Sequence, residues 1–224
     1  MPRVLDSVSF TVREGERLGI IGRTGSGKSS LVQCLFQLYP LEVGEIYLNH
    51  QPASEYELEY FRRHLAFIAQ DPILFRGTVR ENLDLRREHP DSSLVHTLEQ
   101  VGLDHWASPE GLSTKIEERG RNVSLGERQL LCMARCLLED NPIIIMDEAT
   151  SSVDPRSEEI LVNATESFFK GRTQIIIAHR LSTLQYCDKI LWLEDGKVKM
   201  HSTPKEVLPI FEKSHLGGLR GKQL

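Results

Sequence analysis

The fold of this chain is decided at residues 22–29, which read Gly22-Arg23-Thr24-Gly25-Ser26-Gly27-Lys28-Ser29 and fit the pattern G-x-x-x-x-G-K-[ST]. The residues just before, Arg17–Ile21, are mostly apolar and predict a short buried strand. Leucines recur at helical spacing after the pattern, which predicts a helix that ends before Pro40. A strand before the loop and a helix after it are the context in which this pattern binds phosphate.

The chemistry of the loop follows from its residue types. Glycines allow backbone N–H groups to turn inward around phosphate oxygens, and the following helix directs its positive end at the same anion. Lys28 is predicted to reach the β- and γ-phosphates of a nucleotide, and the Ser29 hydroxyl to bind Mg²⁺. A glycine-rich turn with a capping serine is the alternative, which the flanking strand and helix disfavour. The predicted nucleotide-binding residues are Gly22, Arg23, Thr24, Gly25, Ser26, Gly27, Lys28, Ser29 and Ser30.

Two carboxylates follow the apolar run Ile143–Met146, which predicts a second buried strand. Ligands bind at the carboxyl ends of strands in open α/β sheets, so Asp147 is predicted to bind Mg²⁺. Glu148 is predicted to be the general base for an attacking water. His179 follows another buried strand, Thr173–Ala178, and is predicted to donate an N–H to the γ-phosphate. An acidic helix start and a structural histidine are the alternatives, and the accompanying phosphate loop disfavours them.

Short apolar strands that alternate with helices predict an α/β fold, a P-loop NTPase with a mainly parallel central sheet. Asp195-Gly196 between two strand-like runs, Lys189–Glu194 and Lys197–Met200, predicts an antiparallel hairpin. Further strands are predicted at Val8–Val12, Ile46–Leu48 and Leu65–Ala69. Helices are predicted from the N-cap Ser124 to Leu138, at Ser157–Phe169 and at Lys205–Phe211, with short helices between Asp91 and Glu110.

Composition excludes several classes of protein. Lys and Arg number 27 and Asp and Glu 32, for a net charge of −5, which argues against a nucleic-acid partner. The apolar runs are far shorter than the ~18 residues of a membrane span, so no direct membrane insertion is predicted. Cys132 and Cys136 lie one helical turn apart, but no further Cys/His pair completes a zinc site. All four cysteines are therefore predicted to be free, buried thiols in a reducing cytosol.

The order of these motifs resembles the nucleotide-binding domain of an ATP-binding-cassette (ABC) transporter over about residues 4–211. The decisive segment, Val123-Ser124-Leu125-Gly126-Glu127-Arg128-Gln129, is similar to the family signature L-S-G-G-Q-R-Q. Gln70 matches the Q-loop, Asp154 the D-loop and His179 the switch histidine. The resemblance implies ATP and Mg²⁺ as ligands, with Gln70 at the metal and in catalysis. The other residues that it places on ATP are Ser124, Gly126 and Asp154.

Within this family the chain looks like an exporter domain, most similar to the second nucleotide-binding domain of C-subfamily, multidrug-resistance-protein-like transporters. Leu74–Leu83 and Glu118-Arg119-Gly120 resemble exporter segments, and Gln129–Arg135 carries the C-subfamily resemblance. The family fold adds an antiparallel β subdomain and an α-helical signature subdomain. The implied function is an ATPase motor in which two domains, identical or different, sandwich two ATP molecules and act on the coupling helices of a transmembrane domain. The implied location is the cytoplasmic side of a membrane, or the cytoplasm if the chain is made alone.

Two other functions stay open at this point. Some C-subfamily relatives regulate a channel, so the chain could be a nucleotide sensor, which channel current rather than substrate flux would reveal. A soluble ABC ATPase of DNA repair or translation is the second alternative. Repair enzymes place a long coiled coil between Q-loop and signature, and the stretch between Gln70 and Ser124 has no heptads.

Three departures from the family pattern matter. Leu125 stands for glycine and Glu127 for glutamine in the signature, and the charge of Glu127 is expected to weaken ATP capture unless Arg128 offsets it. The aromatic residue that stacks on adenine in the family would fall before Met1, and Phe10 is expected to be core. The domain is therefore expected at residues 1–213, N-terminally truncated so that it lacks its first strand and adenine-stacking loop, with 214–224 a frayed tail.

Overall fold

The computed structural model describes residues 3–69, 71–147, 167–177 and 181–220. The strands are β1 (Arg17–Ile21), β2 (Tyr47–Leu48), β3 (Gln51–Pro52), β4 (Leu65–Ile68), β5 (Gly77–Thr78), β6 (Lys115–Ile116), β7 (Ile143–Asp147), β8 (Thr173–Ile177), β9 (Lys189–Glu194) and β10 (Lys197–Ser202). The helices are α1 (Lys28–Leu35), α2 (Leu58–Arg63), α3 (Val79–Leu83), α4 (Asp91–Gln100), α5 (Pro109–Leu112), α6 (Leu125–Leu138), α7 (Leu181–Leu184) and α8 (Pro204–Arg220). The chain divides into two compact units, residues 1–62 with 171–224 and residues 63–170.

The first unit is built around β1. This strand runs parallel to both β8 and β9, and β10 continues the sheet antiparallel to β9. β1 is buried from Leu18 onward, as expected for a strand with parallel neighbours on both sides. On one side of the sheet, Trp192 packs edge-on against Phe211 of α8 at 5.1 Å between ring centroids. The core residues of this cluster are Ile21, Leu184, Cys187, Ile190, Trp192, Val207 and Leu208.

The second unit combines a parallel strand pair with helices. β4 pairs with β7 in parallel, with Leu65 opposite Ile143. The helices α4 and α6 contact each other and bury leucines of both, including Leu94, Leu98 and Leu131. Separate antiparallel pairs also form, β5 with β6 in this unit and β2 with β3 in the first.

The predicted α/β fold with a mainly parallel sheet is confirmed, and so is the hairpin at Asp195-Gly196. The predicted strand at Val8–Val12 is wrong, because the segment joins no ladder among the described residues. Its side chains do alternate between half-buried and exposed, and Phe10 is half-buried. The pairs β2–β3 and β5–β6 were missed as pairs, and α8 runs to Arg220, well beyond the predicted Phe211. The predicted helix at Ser157–Phe169 lies almost wholly outside the described residues.

The cysteines behave as apolar side chains. Cys132, Cys136 and Cys187 are buried, Cys34 is only partly buried, and none of the four forms a disulfide with another described residue. Burial raises the pKa of the Cys187 thiol to about 12, so this group stays neutral and unreactive. As for membrane segments, none of the helices in the part of the chain that the structure describes is long and apolar enough to cross a bilayer.

Asp84 is expected to make the second unit sensitive to acid. It is 3% exposed, and its carboxylate accepts the N–H groups of Glu88 at 3.1 Å and His89 at 3.0 Å. Burial alone would raise the pKa of Asp84, but these N–H groups and Arg80 hold it below its usual range. The stability that this carboxylate contributes is therefore present above its unfolded pKa and is lost as pH falls through the lower folded value.

We expect Asp84→Asn to lower the free energy of unfolding by about 1–3 kcal/mol at neutral pH, since an amide cannot accept both N–H groups as a carboxylate does. Urea unfolding measures this directly. Asp91→Asn is the matched control, because Asp91 pairs with the same Arg80 but is 56% exposed, where such pairs contribute little. Equal losses in the two variants would contradict the account.

Candidate nucleotide-binding site

The glycine loop begins at the carboxyl end of β1. Because β1 is hydrogen-bonded on both sides, its end has a fixed position from which the loop departs. Gly22 is the first loop residue, and a Cβ there would lie 2.4 Å from both the Leu193 carbonyl oxygen and the Ser26 Oγ. This close approach explains why the first position of the motif is glycine.

Lys28 is buried within the loop. It is 7% exposed, and its Nζ donates to the carbonyl oxygens of Gly22 at 2.7 Å and Arg23 at 3.2 Å. A buried ammonium needs such partners to offset its desolvation. These contacts hold a positive charge inside the loop, and the motif assigns that charge to the phosphates of a nucleotide.

The start of α1 presents donors and hydroxyls. Its N-cap is Gly27, which provides no side-chain cap, and uncapped helix starts are common anion sites. Ser29 is exposed and Ser30 half-buried. Ser26 is 4% exposed, and its Oγ has no hydrogen-bond partner among the described residues. Because buried hydroxyls are rarely left without a partner, the loop fits a phosphate whose oxygens would accept from it.

Gly27→Ala is expected to damage the loop more than Gly102→Ala. Both glycines have positive φ, 103° and 75°, so an alanine strains the backbone by about 1–3 kcal/mol at either site. A Cβ at Gly27 would also lie 2.7 Å from Cδ2 of Leu5, whereas Gly102 faces open space. We expect lower melting temperatures in both and loss of nucleotide binding only in Gly27→Ala, measured by titration of a fluorescent ATP analogue. Equal nucleotide affinities would count against this assignment.

The predicted metal ligands have suitable chemistry. Asp147 is the last residue of β7 and is half-buried, and Ser29 offers an exposed hydroxyl. Hydroxyl and carboxylate oxygens are suitable ligands for Mg²⁺. The ion usually keeps water molecules and phosphate oxygens as its other ligands. The described residues contain no group of three or more His, Cys, Asp and Glu side chains that could hold a metal ion. Gln70, Glu148, Asp154 and His179 lie outside the described residues, so their roles stay predictions.

The signature forms the start of α6 in the second unit. Ser124 is its exposed N-cap and makes a capping box with Glu127. The Glu127 Oε2 accepts from the Ser124 backbone N–H at 3.0 Å and from its Oγ at 2.6 Å, and the Glu127 N–H donates to that Oγ at 3.2 Å. Leu125 and Gly126 are half-buried in the first turn. The box fixes the Ser124 hydroxyl at the positive end of a long helix.

His105 lies beside the carboxylate of Glu127, a contact that sequence reasoning missed. The His105 Nε2 lies 3.2 Å from the Glu127 Oε1. Arg128, expected to offset this charge, donates from Nη1 to the Arg119 carbonyl oxygen at 3.4 Å instead. The sequence gives no signal for the His105 contact, because it depends on how the 3-10 turn Asp104–Trp106 packs against the start of α6.

Asn82 and Arg135 form a second feature that was missed. Asn82 is 1% exposed, donates to the carbonyl oxygens of Phe75 at 2.8 Å and Thr78 at 3.0 Å, and accepts the Phe75 N–H at 2.8 Å. Arg135 of α6 donates to the Asn82 Oδ1 at 3.2 Å and to the Ile73 carbonyl oxygen at 3.1 Å. These bonds tie the signature helix to the exporter-like segment 74–83. Arg135, which stands among apolar residues in the second half of α6, was the available signal.

The class of protein follows from this site and fold. A glycine loop between a buried parallel strand and an uncapped helix, in an α/β fold with a mainly parallel sheet, defines a P-loop domain that binds nucleoside triphosphates. The profile of the family described as ABC transporter matches residues 5–151. The chain belongs to the ABC transporter family. Its fold is similar to that of the corresponding part of an ABC exporter.

Similar proteins place it near the C subfamily. The chain is 46% identical over 205 residues to ATP-binding cassette sub-family C member 10 of Mus musculus, covering 91% of this chain and 14% of that protein. It is 40% identical over 209 residues to sub-family C member 4 of Homo sapiens, covering 92% and 16%. A bacterial Atm1-family ABC exporter solved with ATP bound superposes with a TM-score of 0.85 at 30% identity, covering 99% of this chain and 39% of that one. The chain thus spans about one seventh of these curated relatives.

Proposed function

We propose that this domain binds Mg²⁺-ATP at its glycine loop and hydrolyses it in a sandwich with a second nucleotide-binding domain. The observation that carries the proposal is the buried Lys28 ammonium, 2.7 Å from the Gly22 carbonyl oxygen, beside a helix start capped by glycine. A positive charge and the positive end of a helix in one loop suit a triphosphate. The resemblance to C-subfamily exporters supports ATP as the nucleotide and transport as the work done.

The reaction uses residues of several segments. Lys28 and the loop N–H groups bind the β- and γ-phosphates and stabilise charge on the transferring group. Mg²⁺ would be held by Ser29, Asp147 and Gln70 and would neutralise phosphate oxygens. Glu148 takes a proton from the attacking water while the oxygen of that water bonds to the γ-phosphorus. The bond between the γ-phosphorus and the oxygen that bridges it to the β-phosphate breaks, which leaves ADP and phosphate. His179 donates a hydrogen bond to the γ-phosphate.

The sandwich requires parts from both domains. The signature residues Ser124 and Gly126, with Asp154, bind the ATP held by the glycine loop of the other domain. ATP thereby favours the closed pair, and hydrolysis releases it, because a ligand shifts an equilibrium toward the state that it binds better. The region of Gln70 and the loop Glu118–Gly120 contact the coupling helices of a transmembrane partner, which places the domain at the cytoplasmic face of a membrane.

The test is direct titration of the purified chain with a fluorescent ATP analogue, with and without Mg²⁺. We expect binding in the micromolar to millimolar range that weakens when EDTA removes the ion, since the metal screens phosphate charge. Phosphate release at millimolar Mg²⁺-ATP measures hydrolysis. A chain that takes up no adenine nucleotide at millimolar concentration would overturn the proposal.

A further inference from the structure

The signature serine shares its hydroxyl with an acidic neighbour. The Oγ of Ser124 lies 2.6 Å from the Glu127 Oε2, and the backbone N–H of Ser124 donates to the same oxygen. A serine hydroxyl has one proton to donate, and an ionised carboxylate only accepts. The proton of Ser124 is therefore directed at Glu127.

This arrangement competes with a phosphate at the same hydroxyl. To donate to a phosphate oxygen, the Ser124 O–H must leave a charge-assisted bond, which is about twice as strong as a neutral one. The carboxylate of Glu127, only 33% exposed, would also repel an approaching triphosphate. A glutamine here could keep the capping box with its amide oxygen, but without either effect.

His105 acts on the opposite oxygen of the same carboxylate. Its Nε2 lies 3.2 Å from the Glu127 Oε1, and both side chains are partly exposed. When the Nε2 atom carries its proton, it draws negative charge toward Oε1 and away from Oε2, and so weakens the hold on Ser124. The three side chains form one connected unit at the positive end of α6.

We propose that Glu127 is a positioning residue that holds the Ser124 hydroxyl until ATP arrives and so sets the ATP concentration at which two domains close, while His105 moderates that hold. The inference rests on the proposed function, since Ser124 must meet ATP on a second domain. With Glu127, two domains should need a higher ATP concentration to close than they would with glutamine at the same position.

The experiment measures ATP-dependent self-association of the full chain by sedimentation velocity. Glu148→Gln is present throughout, so that bound ATP is not consumed. We expect Glu127→Gln to lower the Mg²⁺-ATP concentration at half association about tenfold, as one charge-assisted bond is replaced by a neutral one. His105→Ala should raise that concentration in the presence of Glu127 and leave it unchanged in the presence of Glu127→Gln, because the two residues act in series.

The matched control is Glu81→Gln. Glu81 forms the same kind of capping box with Thr78 at the start of α3 and pairs with Arg87 at 3.3 Å, but its helix does not carry the signature. We expect Glu81→Gln to leave the association midpoint unchanged. Melting temperatures of the Glu127→Gln and Glu81→Gln variants should agree with each other, so a change in midpoint reports the signature and not helix stability.

The outcomes separate this inference from the proposed function. The inference about Glu127 would be overturned if the parent and Glu127→Gln reached half association at the same Mg²⁺-ATP concentration. It would also be overturned if neither protein associated although both bound fluorescent ATP. An effect of His105→Ala that persists with Glu127→Gln would overturn the role of His105. Absence of ATP binding in every variant would refute the proposed function instead.

Discussion

Lys28→Met is expected to weaken ATP binding by about 10–100-fold. Methionine keeps the unbranched apolar stem but removes the charge and the three donors, two of which reach the carbonyl oxygens of Gly22 and Arg23 at 2.7 and 3.2 Å. A hydrogen bond to a charged group contributes about 1.5–3 kcal/mol, which corresponds to that range of dissociation constants. The loss of ATP affinity has two causes. The contact of the ammonium with phosphate is missing, and the carbonyl oxygens of Gly22 and Arg23 no longer have their hydrogen-bond donor. Isothermal titration of the purified chain with Mg²⁺-ATP measures it.

Two further variants make this result interpretable. Lys115→Met removes an exposed lysine on β6 and should leave ATP affinity unchanged. Lys28→Arg keeps the charge but not the compact shape of the ammonium, so we expect partial binding. Urea unfolding should show that all three variants remain folded. Unaltered ATP affinity in Lys28→Met would contradict the assignment of residues 22–29 as the phosphate site.

Features with a local physical cause could be predicted from the sequence. Asp195-Gly196 turns the β9–β10 hairpin because both residues take positive φ, 49° and 76°, which this dipeptide tolerates well. Ser124 caps α6 because its hydroxyl reaches the N–H of the third helical residue. Short apolar runs became buried strands because a strand with parallel neighbours at both edges, as β1 has, belongs to a type of sheet that is buried on both faces.

Features that depend on distant partners could not be predicted. The alternation at residues 8–12 correctly anticipates which side chains are half-buried, yet a strand also needs a hydrogen-bonded neighbour, and none occurs among the described residues. β5 and β6 are two residues each and pair across a long stretch of chain, where the Val79 N–H also donates to the Thr114 carbonyl oxygen. The contact of His105 with Glu127 belongs to the same class, because packing brings the two together.

Glu148→Gln is expected to lower steady-state ATP hydrolysis by about 10²–10⁴-fold while leaving ATP binding intact. Glutamine has nearly the same shape and still accepts a hydrogen bond from water, but it cannot take up a proton at neutral pH. In the sequence Glu148 comes directly after β7, whose residues Ile144 and Ile145 are fully buried. Phosphate release and nucleotide titration on the same preparation separate the two effects.

The comparison with Lys28→Met makes this prediction specific. If the loop binds ATP and Glu148 activates water, Lys28→Met loses affinity, and Glu148→Gln loses turnover at saturating ATP with its affinity unchanged. Glu139→Gln is the control, since Glu139 lies just past α6 with its carboxylate 3.9 Å from Arg86, and it should change neither quantity. Undiminished hydrolysis in Glu148→Gln would refute the assigned base. A loss of affinity equal to that of Lys28→Met would place Glu148 in nucleotide binding, because a group that acts only on the attacking water contributes nothing to the ground-state affinity for ATP.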